Sequence, residues 1–106
     1  MRPTKKSVPV KLDKVRHLRM DFNALAFIED KTGKNLLQQE SWNNLTATDM
    51  RTIIWAMLLW EDPEITVDQV GENIDLENID YISEQLHKVL ELSNVEVQEG
   101  DEENPQ

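Results

Sequence analysis

Nine of the eleven residues from 50 to 60 are apolar, with only Arg51 and Thr52 interrupting them. A run this long is more than a strand needs, and it falls short of the roughly 20 residues that span a bilayer. The remaining reading is a helix buried on most of its sides, around which the rest of a small domain must pack. With 106 residues in all, the chain buries about two-thirds of its unfolded surface, enough for one modest core.

The flanks of this run carry start and stop signals. Thr46-Ala47-Thr48-Asp49 places a threonine N-cap three residues before an acid, the spacing of a capping box. Asp62-Pro63 closes the segment, because proline pushes the preceding residue out of helical conformation. Thr66-Val67-Asp68-Gln69 repeats the capping-box spacing and opens a short helix that ends near residues 71–74. Asp75 is then read as the cap of a further helix. On it Leu76, Ile79, Ile82, Leu86, Val89 and Leu90 fall on one stripe, and charged residues fill the rest.

Towards the N-terminus the period drops to two. Val8, Val10 and Leu12 alternate with Pro9 and Lys11, and Arg16, Leu18 and Met20 alternate with His17 and Arg19. Two short strands about Asp13-Lys14 make a β-hairpin, with Pro9 at an edge position. The turn has no glycine, which leaves its type open. From Asp21, an N-cap residue, the period becomes helical: Phe22, Leu25, Ala26 and Ile28 recur with Phe27 as an extra apolar side chain, and Gly33 supplies a left-handed C-terminal cap. This predicts a helix over residues 22–32 and one further turn over 36–39. The fold class is therefore α+β and predominantly helical: an N-terminal hairpin, three main helices and one or two short ones in a domain over residues 8–92. Residues 1–7 read as a flexible basic arm, and residues 93–106, with five acids and no base, as a disordered acidic tail.

Charge is distributed unevenly. Residues 1–34 carry nine basic and four acidic side chains; residues 35–106 carry two basic ones, Arg51 and Lys88, and 17 acids, for a formal net charge of -10. This polarity disfavours a general nucleic-acid coat, which needs clustered Lys and Arg. It favours electrostatic docking, with Lys11, Lys14, Arg16 and Arg19 of the hairpin facing an acidic partner or the acidic helices of another copy, in a homo-oligomer weakened by salt. A solvated strand edge guarded by charge is the blander account of the same residues. The chain has no cysteine, hence no disulfide, thiolate ligand or cysteine nucleophile. No signal peptide or membrane span is expected, so the protein is read as cytoplasmic.

Candidate chemistry is sparse. His17 and His87 have no second ligand at zinc spacing and read as solvated. The acidic stretch Glu61-Asp62-Pro63-Glu64 lacks the alternating ligands and mid-loop glycine of a calcium loop. Asp75, Glu77 and Asp80 lie where acids favour a helix N-terminus. No serine stands in a G-x-S-x-G elbow, and Gly33, Gly71 and Gly100 are isolated, so no loop cradles phosphate. Asn44-Leu45-Thr46 matches a glycosylation sequon but reads as a helix start. No enzyme, cofactor or metal is expected. Binding is: Trp42, Trp55 and Trp60, with Met50, Met57, Leu58 and Leu59, exceed what one helix face needs. Core packing takes part of this surplus, and a partner or self-association surface takes the rest, with Trp55, Leu59 and Trp60 on one helix and Ile82 and Leu86 on the last.

The succession of segments also resembles a known family. The hairpin leads into Arg19-Met20-Asp21-Phe22-Asn23-Ala24-Leu25 and a Glu29-x-x-x-Gly33-Lys34 helix end. Leu45-Thr46-Ala47-Thr48-Asp49-Met50-Arg51 and Trp55-Ala56-Met57-Leu58-Leu59 follow, then Glu61-Asp62-Pro63-Glu64-Ile65-Thr66 before Val70-Gly71. Over about residues 8–92 this resembles the tail assembly chaperones of long-tailed phages and prophages, which are related to the small tail proteins of gene transfer agents. The resemblance implies a non-catalytic protein of the bacterial cytoplasm. It would bind the tape-measure protein, keep that long helical client soluble during tail-tube assembly, help recruit tube subunits, and be absent from the mature virion. Two other classes stay open: a structural virion component such as a tube or connector protein, and an acidic DNA mimic that inhibits a nucleic-acid-binding enzyme.

Overall fold

A computed structural model describes residues 7–38 and 45–92. Residues 1–6 of the arm, the tail over residues 93–106, and Trp42 lie outside the described residues. Strands β1 (Val8–Lys11) and β2 (Val15–Leu18) form an antiparallel ribbon. Helices α1 (Phe22–Thr32), α2 (Ala47–Leu58), α3 (Val67–Glu72) and α4 (Ile79–Leu92) follow. This is the α+β, mostly helical architecture that the change of period predicts.

Each strand buries one parity of residues. Val8, Val10, Arg16 and Leu18 face inwards; Pro9, Lys11 and Val15 face solvent, with His17 half-covered beside them. Val8 pairs with Leu18 and Lys11 with Val15, so the turn is the three residues Leu12, Asp13 and Lys14. Both outer edges of the ribbon are covered. Along β1, Gln85 Nε2 donates to the Pro9 carbonyl at 2.7 Å and the Lys11 N–H donates to the Tyr81 hydroxyl at 2.9 Å. Along β2, the His17 N–H donates to Glu61 and the His17 carbonyl accepts from Trp60 Nε1, each at 2.9 Å, while the Arg19 N–H reaches the Met57 carbonyl at 3.1 Å. A two-stranded ribbon is marginal alone; here two helices complete it from its flanks.

Local caps fix the helix ends. Asp21 accepts from the Ala24 N–H, and Gly33 takes φ +76°, the left-handed cap, with its N–H on the Glu29 carbonyl. Thr46 with Asp49 and Thr66 with Gln69 both form reciprocal capping boxes. Buried Asp49 also lies 3.6 Å from Lys34 Nζ, tying α2 to the end of α1. The centre of α2 is the middle of the core: Ile53, Ile54, Met57 and Leu58 are wholly buried. Around it pack α1, α3 and β2, while α4 lies along β1.

Four local expectations need correction. The buried side of α1 is Ala24 and Ile28, with Leu25 partly covered; Phe22 is 78% exposed and Ala26 is also outside. Two apolar residues therefore lie off the stripe that touches α2. Helix α2 ends at Leu58, well before Pro63, because Trp60 and Glu61 turn back to bond β2. Asp75 caps a turn, accepting from the N–H groups of Glu77 and Asn78, and the regular helix starts only at Ile79. Leu76, placed on the buried stripe by its spacing, is consequently 94% exposed. The turn near residue 36 is present, with Leu36 buried and the Gln38 N–H on the Asn35 carbonyl at 3.0 Å; Gln39 lies outside the described residues.

Candidate functional site

Among the described residues no group of three or more His, Asp or Glu side chains is placed to hold a metal ion. No helix among them is long and apolar enough to cross a membrane. His87 stands exposed on α4, and His17 pairs with Glu61, Nδ1 to Oε2 at 2.9 Å.

The apolar candidates separate into three groups. Ile82 is wholly buried and Leu86 is 4% exposed, both under α4 in the core. This corrects their assignment to a partner surface: α4 has a single apolar stripe, and a domain this small uses it for its own core. Trp60 is 41% exposed, but its ring is engaged, with Nε1 on His17 and the Arg19 guanidinium 5.1 Å from the ring centroid. It clamps the end of α2 to the ribbon. Trp55 and Leu59 remain, one turn apart on the only half-open side of α2. Trp55 is steadied by its Nε1 bond to the Ile65 carbonyl at 3.0 Å. Phe27 of α1, 42% exposed, packs against it with ring centroids 5.9 Å apart.

This strip continues into a groove. Arg51, one turn before Trp55, stands at the edge of a cavity of about 580 Å³ between α2, α3 and the start of α4, floored by Met50, Ile74 and Ile79. Gly71 makes the passage: a Cβ there would lie 2.9 Å from Arg51 Cδ, so the bare backbone of α3 lets the arginine stem cross it. The head group reaches Asp68 at 3.7 Å only, and Asp68 is largely in solvent, an ion pair of little strength. The buried Arg51 Nε has no hydrogen-bond partner among the described residues. The combined surface is apolar in the middle and charged at the rim.

The basic candidates separate as well. Lys11 and Lys14 are exposed. Arg16 is not available to a partner: it is 7% exposed, grips Asp13 through Nε at 2.8 Å and Nη2 at 3.0 Å, and reaches Asp62 through Nη1 at 3.0 Å. The reason is its inward parity, which forces the guanidinium to find acids at the edge of the core. Arg19 is half-buried over Trp60, 3.4 Å from Asp21. Sequence reasoning missed Phe27 as a surface aromatic and Asp62 as the partner of Arg16. The inward parity of a charged Arg16 was the available signal for such a partner.

The hydrogen bonds from Arg16 hold the Asp13 carboxyl below its ordinary pKa. A carboxylate shifted down in the folded state stabilises the fold above the unfolded aspartate pKa, about 3.9. That contribution disappears as pH falls through the lower folded value. Carbon-detected NMR titration of the Asp13 carboxyl is therefore expected to show a midpoint below that of an unfolded-peptide aspartate, with the turn loosening only on the acid side of it. A midpoint at or above the peptide value contradicts the Arg16 grip.

No family model, curated protein or solved structure matches this chain.

Proposed function

We propose that this protein is a non-catalytic tail assembly chaperone of a long-tailed phage or prophage. It binds the tape-measure protein in the host cytoplasm, keeps it soluble while the tail tube polymerises around it, and leaves before the virion is complete. The supporting observation is the strip formed by Phe27, Trp55 and Leu59. It is an apolar surface on the otherwise buried central helix, open to a client, in a chain whose net charge of -10 keeps the complex dispersed. A client helix presents apolar side chains at i, i+3 and i+4, and an apolar strip beside a groove is the surface that such a helix fits. The succession of sequence segments from residue 8 to residue 92 points the same way.

The test is co-expression with the candidate tape-measure protein, the long coiled-coil-rich protein that this reading expects to be encoded beside this gene. That protein is expected in the insoluble fraction when expressed alone and in the soluble fraction, co-purifying, when expressed with this chain. No gain in its solubility rejects the chaperone reading, and finding this chain in purified particles replaces it with a structural virion component.

A further inference from the structure

The solvent face of the ribbon is a second surface, separate from the α2 strip. Pro9 lies opposite His17 and Lys11 opposite Val15 across the two strands. Trp60 closes the face on the β2 side through its bond to His17, and Tyr81 closes it on the β1 side through its bond to Lys11. Val15 is 57% exposed and Tyr81 39%, so the face presents apolar and aromatic side chains beside Lys11 and His17. It also carries two exposed lysines. Neither Lys11 nor Lys14 enters an ion pair with a described residue, whereas the acids at its margin, Asp13 and Glu61, are held by Arg16 and His17.

The same chain carries the complement. Leu76, the most exposed large apolar side chain among the described residues, projects from the turn before α4 with exposed Asp75, Glu77 and Asp80 around it. Glu77 and Asp80 also lack a cation partner among the described residues. Leu76 precedes Tyr81 by five residues. Tyr81 is bonded to the ribbon at Lys11, so a short stretch of chain joins the acidic knob to the basic face. With both halves on one chain, a single two-fold axis can bring each against its mate, making the contact twice.

We propose that a second copy of this chain occupies the ribbon face. Leu76 of each copy seats against Val15 and Tyr81 of the other, and Glu77 and Asp80 face Lys11 and Lys14. The contact uses none of Phe27, Trp55 or Leu59, so it stands or falls apart from the client reading.

The test is the mass of the full chain by sedimentation equilibrium at low ionic strength. The expected species is a dimer. It weakens as salt rises, since the screening length shortens from about 30 Å at 0.01 M to about 8 Å at 0.15 M. Leu76→Lys and, on the opposite side of the contact, Val15→Glu each raise the dimer dissociation constant about tenfold or more. Both sites are exposed, so unchanged thermal melts accompany the loss. Charge reversal identifies the occupant: K11E/K14E and E77K/D80K are each expected to be monomeric, and mixing them restores a dimer with one copy of each. A monomeric parent chain, or a dimer indifferent to L76K and V15E, overturns the proposal. Loss of the dimer in K11E/K14E without rescue by E77K/D80K also overturns it.

Discussion

Asp13→Asn combined with Asp62→Asn is expected to destabilise the fold by about 2–4 kcal/mol, whereas Arg16→Met costs less than about 1.5 kcal/mol. The asymmetry follows from where the charges sit. The Arg16 side chain is 9% exposed, while those of Asp13 and Asp62 are 46% and 34% exposed. Removing the acids strands a guanidinium inside the protein, and breaking a buried pair in this way costs about 3–5 kcal/mol when desolvation is complete. The value is reduced here because both acids border solvent and water can partly replace them. Removing the arginine leaves two carboxylates that water already reaches, and the methionine stem fills the same inward position beside Val10 and Leu18. Urea denaturation of the two variants measures the difference. Equal losses would mean that Arg16 matters through packing rather than charge.

If the proposed chaperone function holds, Phe27→Glu with Leu59→Glu is expected to weaken binding of the tape-measure protein by more than about thirtyfold, the effect of losing an interface centre worth about 2 kcal/mol. Phe27 is already 42% exposed and Leu59 is half-buried, so the variant keeps its circular dichroism spectrum and loses only part of its stability. Trp60→Glu is the informative comparison. It removes the indole bond to His17 and the stacking of Arg19, so its main effect is a lowered melting temperature, with client binding following stability. Titration calorimetry of folded variants separates the two: retained affinity in the Phe27 and Leu59 double variant would remove this strip from the client surface.

What could be read from the sequence was what is decided within a few residues. Asp21 and Gly33 bound α1, Thr46 with Asp49 opens α2, and Thr66 with Gln69 opens α3. In each case the capping partner lies within four positions. The alternation that buries Val8, Val10, Arg16 and Leu18 was equally legible. What escaped depends on distant partners. The end of α2 is set by His17, more than 40 positions away, and Pro63 only marks a limit that the helix never reaches. Ile82 and Leu86 were assigned to a partner surface because an apolar stripe has the same spacing whether it meets the chain's own core or another molecule. Leu76 shares the spacing of that stripe but precedes the regular helix, so its side chain is carried outwards. For the candidate surface, spacing placed Trp55 and Leu59 together, and only the fold brought Phe27 beside them.

The covering of β1 by α4 has a consequence for synthesis on the ribosome. The bonds from Gln85 to Pro9 and from Lys11 to Tyr81 join positions 76 and 70 residues apart, so one border of the ribbon is closed by a helix made well after it, the last among the described residues. At about 5–20 residues per second, the 14 residues of α4 take about 1–3 s to translate. Throughout that interval, and until α4 clears the exit tunnel, the nascent chain presents an open strand border with unsatisfied backbone groups. Chains stalled or truncated before residue 79 keep that border. They are the form of this protein expected to aggregate, and chains that include α4 are protected by it.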